Sequence, residues 1–327
     1  MQEPLVDGFG RVHTDLRLSL TDRCNLRCTY CMPAEGLDWL PKPELLTDDE
    51  LVRRVGVLAG MGVRTVRLTG GEPLLRPGLP GLVARLAELG VVLSLTTNGL
   101  GLARQAQALR EAGLRRVNIS MDTLRPERFA ELTRRDRLPD VLAGLAAAKA
   151  AGLEPVKVNA VLMRGVNDDE AVELLQWALD GGYALRFIEQ MPLDPQHGWD
   201  RETMLDADEI LARLGERWSL TPVELRGSAP AEEFLVDGGP ATVGVVGSVR
   251  RPFCSACDRL RLTADGQVRN CLFAREESDL RTPLRSGASD DELADRLRVA
   301  VAGKKKGHGI GEPGFVQPDR PMSAIGG

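Results

Sequence analysis

Three closely spaced cysteines constrain what this chain can fold into more than any other feature of its sequence. Cys24, Cys28 and Cys31 have the spacing C-x3-C-x2-C and follow a strand-like run at 15–20. Thiolates are soft ligands, and groups of them bind iron–sulfur centres or zinc. Three ligands leave one iron of a four-iron cluster free to bind a small molecule, so the spacing predicts a reactive iron–sulfur site. A zinc knuckle, a disulfide framework and buried free thiols are the alternatives.

The remaining cysteines form a second group of three. Cys254, Cys257 and Cys271 have the spacing C-x2-C-x13-C, which is also typical of metal ligands. The chain has six cysteines, so none remains for a disulfide. Taken alone, the second group is compatible with a zinc site whose fourth ligand is one of the three histidines, His13, His197 and His308. Beside the first motif, a second iron–sulfur cluster is the favoured interpretation.

Size and charge narrow the class of protein. The chain has 327 residues, enough for one large domain with or without a smaller appendage. Its 42 basic and 47 acidic residues give a net charge of −5, which argues against general binding to nucleic acid or to a membrane surface. No apolar run approaches the ~20 residues that span a bilayer, and the N-terminus lacks a signal pattern. We therefore expect a cytoplasmic protein, in which thiols stay reduced, that is either a monomer or a homodimer.

Strand-like and helix-like runs alternate along residues 1–191. Repeated β-α units predict a parallel sheet with right-handed crossovers, and six units fit an α/β fold of the partial (β/α)6 TIM-like barrel type. The predicted strands are 15–20, 65–69, 91–97, 116–120, 156–161 and 184–189. The predicted helices begin with one opened by a capping box at 47–50 and continue with 101–112, 140–151 and 168–180.

The pattern changes at about residue 192, where regular alternation stops. We predict that 192–327 is an α+β extension that closes the barrel mouth and carries the second cysteine group and part of the substrate site. Within it we expect a helix near 206, strands at 242–246 and 259–263, and a helix at 290–301. Lys304-Lys305-Lys306 is typical of a solvated run after a helix C-terminus, and the final Gly-Gly is typical of a frayed end.

The predicted strands carry a second signal in the polarity of their two faces. Side chains alternate between faces along a strand, and in each predicted strand one parity is aliphatic and the other is polar. Arg17, Arg67, Lys157 and Arg186 all have the polar parity. Together they predict an open, water-filled lumen suited to a polyanionic substrate. The alternative is that they are rim charges paired with acids.

Two further motifs lie where such a site would form. Gly70 and Gly71 follow the second predicted strand, and two glycines let the backbone approach a ligand closely. The carboxyl ends of parallel strands are where sites of α/β proteins gather. In the C-terminal region Cys257, Arg259 and Arg261 share one parity, which places a thiolate and two guanidiniums on one side of an extended chain.

These motifs together resemble the radical S-adenosylmethionine (SAM) enzymes and, within them, the GTP 3′,8-cyclase family of molybdenum cofactor biosynthesis. The resemblance rests on the stretches 16–25, 66–73, 156–159 and 186–189, on the C-x2-C group with its Arg-Leu-Arg, and on the Gly-Gly end. It implies two [4Fe-4S] clusters and SAM as cofactors. One cluster would be held by Cys24, Cys28 and Cys31 with SAM on its open iron, and the other by Cys254, Cys257 and Cys271.

The resemblance also implies roles for individual residues. The catalytic centre would include the first three cysteines with Arg17, Gly326 and Gly327. The SAM pocket would be lined by Tyr30, Gly71, Ser120 and Met191. The GTP contacts would be Arg17, Arg67, Thr96, Lys157, Arg186, Arg259, Leu260 through its backbone, and Arg261.

The activity implied by the resemblance is a lyase reaction that converts GTP to (8S)-3′,8-cyclo-7,8-dihydroguanosine 5′-triphosphate. A flavodoxin-like electron donor and a cyclic pyranopterin monophosphate synthase acting on the product are the implied partners. Two other functions compete with this one. The first is a radical SAM enzyme with an auxiliary cluster that acts on a peptide or another substrate, and the second is a non-catalytic protein stabilised by zinc or by clusters.

Overall fold

The structure is a computed structural model that describes residues 3–224 and 226–326. Over these residues twelve strands form one sheet in the order β12-β11-β10-β1-β2-β3-β4-β5-β6-β9-β8-β7. The strands are β1 Asp15–Ser19, β2 Thr65–Thr69, β3 Val92–Thr97, β4 Leu114–Ser120, β5 Val156–Val161, β6 Ala184–Ile188, β7 Leu220–Pro222, β8 Glu232–Val236, β9 Thr242–Val246, β10 Arg259–Leu262, β11 Gln267–Arg269 and β12 Ser278–Asp279.

The centre of the sheet is parallel. Strands β1 to β6 pair in chain order, and each is followed by helical structure, which confirms the six predicted β-α units. The C-terminal region extends this sheet at both edges, because β10 pairs in parallel with β1 and β9 pairs in parallel with β6. In the described part of the chain no pairing joins β7 to β12, so the sheet stays open.

Helices cover one face of this sheet, apart from the short C-terminal helix Met322–Ile325, which lies beside the other face. They are α1 Asp48–Gly60, α2 Leu79–Ala87, α3 Ala106–Glu111, α4 Pro126–Thr133, α5 Leu138–Ala150, α6 Ala171–Gly181, α7 Ala207–Gly215, α8 Arg281–Arg285, α9 Asp290–Ala302 and α10 Met322–Ile325. The predicted capping box of α1 is present, since Thr47 Oγ1 accepts from the Glu50 N–H and the Glu50 carboxylate accepts from the Thr47 N–H. Within the described residues, no helix has the length and apolar character needed to cross a membrane.

One predicted helix is wrong in its bounds. Residues 101–112 form a short 3-10 turn, Leu102–Arg104, and then α3. Gln105 interrupts the two with φ −121° and ψ −14°, and Gly101 before them has the left-handed φ of +88° that favours glycine. Such a backbone cannot continue as one α-helix.

The aliphatic parity of the strands packs beneath the helices, as predicted. Leu18, Leu68, Leu95, Ile119 and Val158 are fully buried in one core. This core fixes the register of neighbouring strands, because a slip of one residue would expose every aliphatic side chain. The opposite, polar face is therefore held at a defined level on each strand, and the candidate site lies there.

Candidate active site

The first cysteine loop, residues 24–31, leaves the carboxyl end of β1 and is anchored on the end of α4. The Arg27 N–H donates to Thr133 O at 3.0 Å, and the Thr29 N–H donates to Leu132 O at 2.9 Å. Cys24, Cys28 and Cys31 are half-buried and free. The loop therefore has a fixed backbone with three reduced thiols.

The three thiols of this loop lie close enough to oppose one another's ionisation. Burial, reinforced by the neighbouring Cys24, raises the pKa of Cys31 to about 12. Burial and the other two thiols also raise the pKa of Cys28 well above its usual range. Thiolates crowded in this way become stable when a metal centre replaces their protons. The donor set thus fits an iron–sulfur cluster.

Two glycines bring the loop after β2 against the start of the cysteine loop. The Gly71 N–H donates to Thr21 O at 2.8 Å, and a side chain on Gly71 would overlap the carbonyl groups of Asp22 and Arg23. Gly70 adopts φ +134°, and a side chain there would overlap Thr21 O. The glycines are thus required for close packing of backbone on backbone just before Cys24.

The predicted SAM residues Tyr30 and Ser120 lie together. They line a cavity of about 40 Å³ with Cys28 and Asp122. Tyr30 Oη donates to Asp122 Oδ2 at 2.7 Å, and the Val161 N–H donates to Asp122 Oδ1 at 2.9 Å. Burial raises the pKa of Asp122 to about 6. Asp122 therefore ties the cysteine loop to the ends of β4 and β5.

The second cysteine group lines another cavity, of about 70 Å³, with predicted substrate residues. Cys254, Cys257 and Cys271 share it with Arg259 and Arg261, and Met191 also lines it. Burial raises the pKa of Cys254, and the neighbouring Cys271 and Cys257 thiols add to this although the His308 N–H opposes it. This donor set also fits a metal cluster, with two guanidiniums beside it.

The histidines do not complete a zinc site with these cysteines. His308 lines the same cavity, but its Nε2 donates to Ser248 O at 2.9 Å and its Nδ1 accepts from the Ile310 N–H at 3.1 Å. His13 is buried against Asp7, at 3.1 Å, and His197 is exposed. Among the described residues no group of three or more His, Cys, Asp or Glu side chains is arranged around a single ion.

A row of cations crosses the polar face of the sheet. Register places Arg261, Arg17 and Arg67 at one level on β10, β1 and β2. Burial and the nearby Arg17 and Arg259 lower the pKa of Arg261 to about 9. Burial also lowers the pKa of Arg17 to about 10, although Asp15 at 3.1 Å opposes this. Depressed pKa values of this kind mark a site with excess positive charge, which favours an anionic ligand.

Sequence patterning missed one member of this row. Arg116 on β4 is level with Ser94 of β3, which is level with Arg67. It has the same parity as Asn118, and this parity is the signal that could have identified it. In the described residues the buried Nε atoms of Arg67, Arg116 and Arg259 lack a hydrogen-bond partner. Unpaired buried donors are costly, and a polyanion would satisfy them.

Carboxylates pair with only some of the basic side chains on the polar face. Lys157 has Glu233 at 3.9 Å. Arg186 instead donates to Asn159 Oδ1 at 3.1 Å. When the side-chain amide of Asn118 is oriented with its oxygen towards the two arginines, that oxygen accepts from Arg67 and, at 2.8 Å, from Arg186. Neutral amides orient a guanidinium without cancelling its charge. The interpretation as acid-paired rim charges therefore fails for Arg67 and Arg186.

The remaining predicted GTP residues lie on the same strands. Thr96 on β3 is level with Asn118 and half-buried. Arg259 donates to Ser228 O at 2.7 Å and lies over the Phe253 ring. The Leu260 side chain is in the aliphatic core, level with Leu16, so only its backbone can contact a ligand.

Two family models match the chain. The model described as the Radical SAM superfamily matches residues 18–178, and the model described as Molybdenum Cofactor Synthesis C matches residues 183–310. A curated GTP 3′,8-cyclase of Streptomyces coelicolor is 66% identical to the chain and covers 99% of it, and the chain covers 96% of that relative. This chain belongs to the GTP 3′,8-cyclase family. A GTP 3′,8-cyclase of Mycolicibacterium smegmatis is 60% identical, with 99% of this chain and 92% of the relative covered.

Solved structures agree with this family at the level of the fold. Streptococcus suis SuiB bound to S-adenosylmethionine matches with a TM-score of 0.59 at 15% identity, over 90% of this chain and 69% of SuiB. SuiB bound to its precursor peptide SuiA matches with a TM-score of 0.60 at 13% identity, over 91% of this chain and 69% of SuiB. As a radical SAM family member, this GTP 3′,8-cyclase homologue is expected to use SAM and a [4Fe-4S] cluster.

The polar face of this cyclase-family chain is less open than the sequence predicts. Arg17 and Arg186 are only 6% and 7% exposed. The C-terminal tail lies beside this face: Ser19 Oγ donates to Ile325 O at 3.0 Å, and Arg261 Nη1 donates to Gly326 O. The expectation of a frayed end is therefore wrong for Gly326, which is buried, while Gly327 lies outside the described residues.

The expectation of a fully solvated lysine run is also wrong. Lys305 and Lys306 are exposed, but Lys304 is only 5% exposed. Its ammonium donates to Arg259 O at 2.7 Å and to Cys257 Sγ at 3.4 Å. A carbonyl and a sulfur thus replace the water that a surface lysine would bind.

Proposed function

We propose that this chain converts GTP to (8S)-3′,8-cyclo-7,8-dihydroguanosine 5′-triphosphate, the first step of molybdenum cofactor biosynthesis. The observation that carries the proposal is the cationic row Arg261–Arg17–Arg67, which runs from beside the second cysteine group to the strand that follows the first cysteine loop. A triphosphate matches this excess of positive charge. The curated relatives named GTP 3′,8-cyclase support the same substrate.

The first cysteine loop would hold the catalytic cluster through Cys24, Cys28 and Cys31. With one electron from an external donor, the cluster would cleave bound SAM to methionine and a 5′-deoxyadenosyl radical able to remove hydrogen from C3′ of the GTP ribose. Bonding of C3′ to C8 of guanine would then need one further electron and one proton to give the 7,8-dihydro product. Tyr30, Gly71, Ser120 and Met191 are the proposed SAM contacts. Bound SAM would cover these half-buried residues and exclude water from the reacting carbon atoms.

The cationic face would bind and orient GTP. We assign the triphosphate to the guanidiniums and the ammonium of the polar face, and guanine to the second cysteine group, where a second [4Fe-4S] cluster would offer an open iron. In this scheme the protein acts mainly by positioning two ligands and neutralising charge, and not by general acid–base catalysis. The assigned contacts are Arg17, Arg67, Thr96, Lys157, Arg186, Arg259, Leu260 and Arg261.

The tail would complete the site. Gly326 O lies on the guanidinium of Arg261, and Ile325 O lies on Ser19, so the tail reaches the level of the cationic row. We assign Gly326 to the catalytic centre on this basis, and Gly327, which lies outside the described residues, by the family resemblance. We also propose that the protein works in the cytoplasm with a flavodoxin-like electron donor and passes its product to a cyclic pyranopterin monophosphate synthase.

Anaerobic reconstitution tests the proposal. Iron and sulfide are counted, and dithionite, SAM and GTP are then added while 5′-deoxyadenosine and cyclised nucleotide are measured. We expect about eight irons per chain and formation of both products only with GTP. Substitution of either cysteine group by alanine should remove about four irons.

Other outcomes separate the competing functions. If the protein binds four irons and one zinc and cleaves SAM whether or not GTP is present, it is a radical SAM enzyme whose C-terminal metal site is structural. Cleavage of SAM that depends on a peptide would favour the peptide-modifying enzyme. Metal binding without any SAM cleavage after reduction would favour the non-catalytic protein.

A further inference from the structure

Lys304 is buried beside the second cysteine group, unlike an ordinary surface lysine. It follows α9, and its ammonium bridges two atoms of the substrate region, Cys257 Sγ at 3.4 Å and Arg259 O at 2.7 Å. Its charge also acts on Cys271. Within the described residues the ammonium of Lys304 contacts a sulfur and a carbonyl, and no carboxylate oxygen is among its hydrogen-bond partners.

The segment that carries Lys304 is held firmly. Arg11 Nη2 donates to Lys305 O at 2.7 Å and Arg11 Nη1 donates to Lys306 O at 3.2 Å. Arg11 Nη1 also donates to Cys254 O at 2.6 Å, and Asp7 orients the same guanidinium at 2.6 Å. The N-terminal segment therefore fastens the lysine segment to the loop of the second cysteine group, which keeps the ammonium at its sulfur.

The first cysteine loop has no such cation on its sulfur in the described part of the chain. Cys24 Sγ instead accepts from neutral donors, the Leu26 N–H at 3.5 Å and Asn98 Nδ2 at 3.8 Å. The two cysteine groups thus differ in the charge of the donor that contacts a thiolate. The reduction potential of an iron–sulfur cluster depends on net charge and on hydrogen bonds to its sulfurs.

We propose that Lys304 is a positioning residue that raises the reduction potential of the second iron–sulfur cluster above the value it would have without this cation. The inference rests on the proposed function, which places a [4Fe-4S] cluster on Cys254, Cys257 and Cys271. One electron from an external reductant takes the cluster from the 2+ to the 1+ state, and no bond is formed or broken. The added negative charge is stabilised by the ammonium at Cys257. Because Lys304 also holds Arg259 O, it fixes the strand of the substrate arginines relative to the cluster.

The test uses the full chain with Cys24→Ala, Cys28→Ala and Cys31→Ala, so that only the second cluster is observed. In this parent we compare Lys304→Met, Lys304→Arg and the matched control Lys305→Met, which removes the same charge from an exposed neighbour. Each protein is reconstituted anaerobically, its iron is counted, and it is titrated against potential with detection of the reduced cluster by electron paramagnetic resonance.

We expect Lys304→Met to have a more negative midpoint potential than the parent, with the ratio of reduced to oxidised cluster lower by about tenfold at a fixed potential. Lys304→Arg and Lys305→Met should titrate close to the parent. Equal potentials in the parent and Lys304→Met would overturn the proposal, and so would an equal shift in Lys305→Met.

If Lys304→Met fails to bind the cluster, Lys304→Gln is measured instead, because glutamine keeps a hydrogen-bond donor but removes the positive charge. A more negative potential in Lys304→Gln supports the proposal, and a potential equal to that of the parent overturns it. If Met and Gln variants both lose iron while the Arg variant keeps it, the positive charge is required at the cluster, which supports the proposal; loss from all three overturns it. If the parent protein, with Lys304 intact, binds no iron, the second cluster itself is refuted, and this inference is refuted with it. That result is distinguishable from loss of iron in the Lys304 variants alone.

Discussion

At the scale of single residues, the site is defined by cations that the protein itself leaves uncompensated. Arg67 and Arg186 meet the neutral amide of Asn118, and the pKa of Arg186 is lowered to about 10 by burial and by Arg17. Buried charges without a counter-ion destabilise the free protein. Their presence in one face of a sheet is therefore explained by a ligand that supplies the negative charge.

Substitution of Arg261 tests this charge directly. Arg261→Ala should weaken GTP binding by about 1–3 kcal/mol, roughly 5- to 150-fold in Kd, because a charged hydrogen bond to phosphate is left unmade. Equilibrium binding of GTP to the reconstituted protein measures the effect. Arg115→Ala is the matched control, since Arg115 lies on the same sheet, in β4, and its side chain is exposed to solvent. Unchanged affinity in Arg261→Ala would remove the residue from the substrate site.

At the scale of elements, the glycine loop after β2 positions the first cysteine loop. Gly71→Ala should push the cysteine loop away, because the new methyl group would sit 2.6 Å from the Arg23 carbonyl carbon. We expect the variant to lose about four irons per chain and to keep the second cluster. Gly81→Ala in α2 is the control, since no atom lies within 4 Å of a methyl group there. A full iron content in Gly71→Ala would show that the close packing is not needed for the cluster.

The start of α1 offers a test by pH. Glu50 closes the capping box and accepts from Arg285 Nε at 2.7 Å, and this arginine holds the pKa of Glu50 at about 2. Because the pKa of Glu50 is lower in the folded state than its usual value of about 4.5, the ionised carboxylate stabilises the fold at pH values above 4.5. This stabilisation is lost as the pH falls from 4.5 towards 2. Glu50→Gln keeps the capping bond without the charge, so it should be less stable by about 0.5–1 kcal/mol at pH 7.

Urea unfolding of the cluster-free proteins at pH 7, 5 and 3 measures this difference. The gap between the wild type and Glu50→Gln should narrow as the pH falls below 4.5. Glu292→Gln at the capping box of α9 is the control, because the Glu292 carboxylate bonds Ser289 and not an arginine. A gap that is independent of pH would contradict the assigned ion pair.

Local sequence patterns predicted the elements whose environment is regular. The strands Thr65–Thr69 and Val156–Val161 have the predicted bounds because their alternation reports two different faces. The helix α4 is not predicted as a separate element, since Pro126 in its first turn looks like a break when read along the chain. Lys304 was misjudged because its burial depends on segments distant in sequence.

The features of the candidate site also divide into those that local sequence predicts and those that depend on distant contacts. The cysteine groups and the polar parity can be seen in sequence, since spacing and alternation are local properties. The bond between Tyr30 and Asp122 joins positions 92 residues apart, and no local pattern announces it. Gly326 is the extreme case: a terminal glycine reads as frayed, yet its position depends on a site assembled by the whole chain.

At the scale of the whole molecule, one sheet joins the two regions predicted as 1–191 and 192–327. Strands β9 and β10 are successive in sequence but lie at opposite edges of the parallel core. The chain between them carries Cys254 and Cys257 to the amino ends of β10 and β1, where the Asp15 N–H donates to Asp258 O. The first cysteine loop leaves the carboxyl end of β1, so the two cysteine groups lie at opposite ends of the strands, with the cationic row between them. The tail returns to the polar face that carries this row.

The tail provides the last prediction. A side chain on Gly326 would meet Thr69 Cγ2 at 2.7 Å and overlap Ser19 Oγ, and its φ of +87° disfavours any other residue. Gly326→Ala should therefore displace the tail from the guanidinium of Arg261 while leaving both cysteine groups intact. We expect unchanged iron content and a yield of cyclised nucleotide per 5′-deoxyadenosine lower by about a hundredfold, because radical chemistry depends on the exact placement of C3′. Gly307→Ala, in the same C-terminal segment with no atom within 4 Å, should behave as wild type. If Gly326→Ala keeps the wild-type yield, the tail does not position the substrate, and its place beside Arg261 is a matter of packing alone.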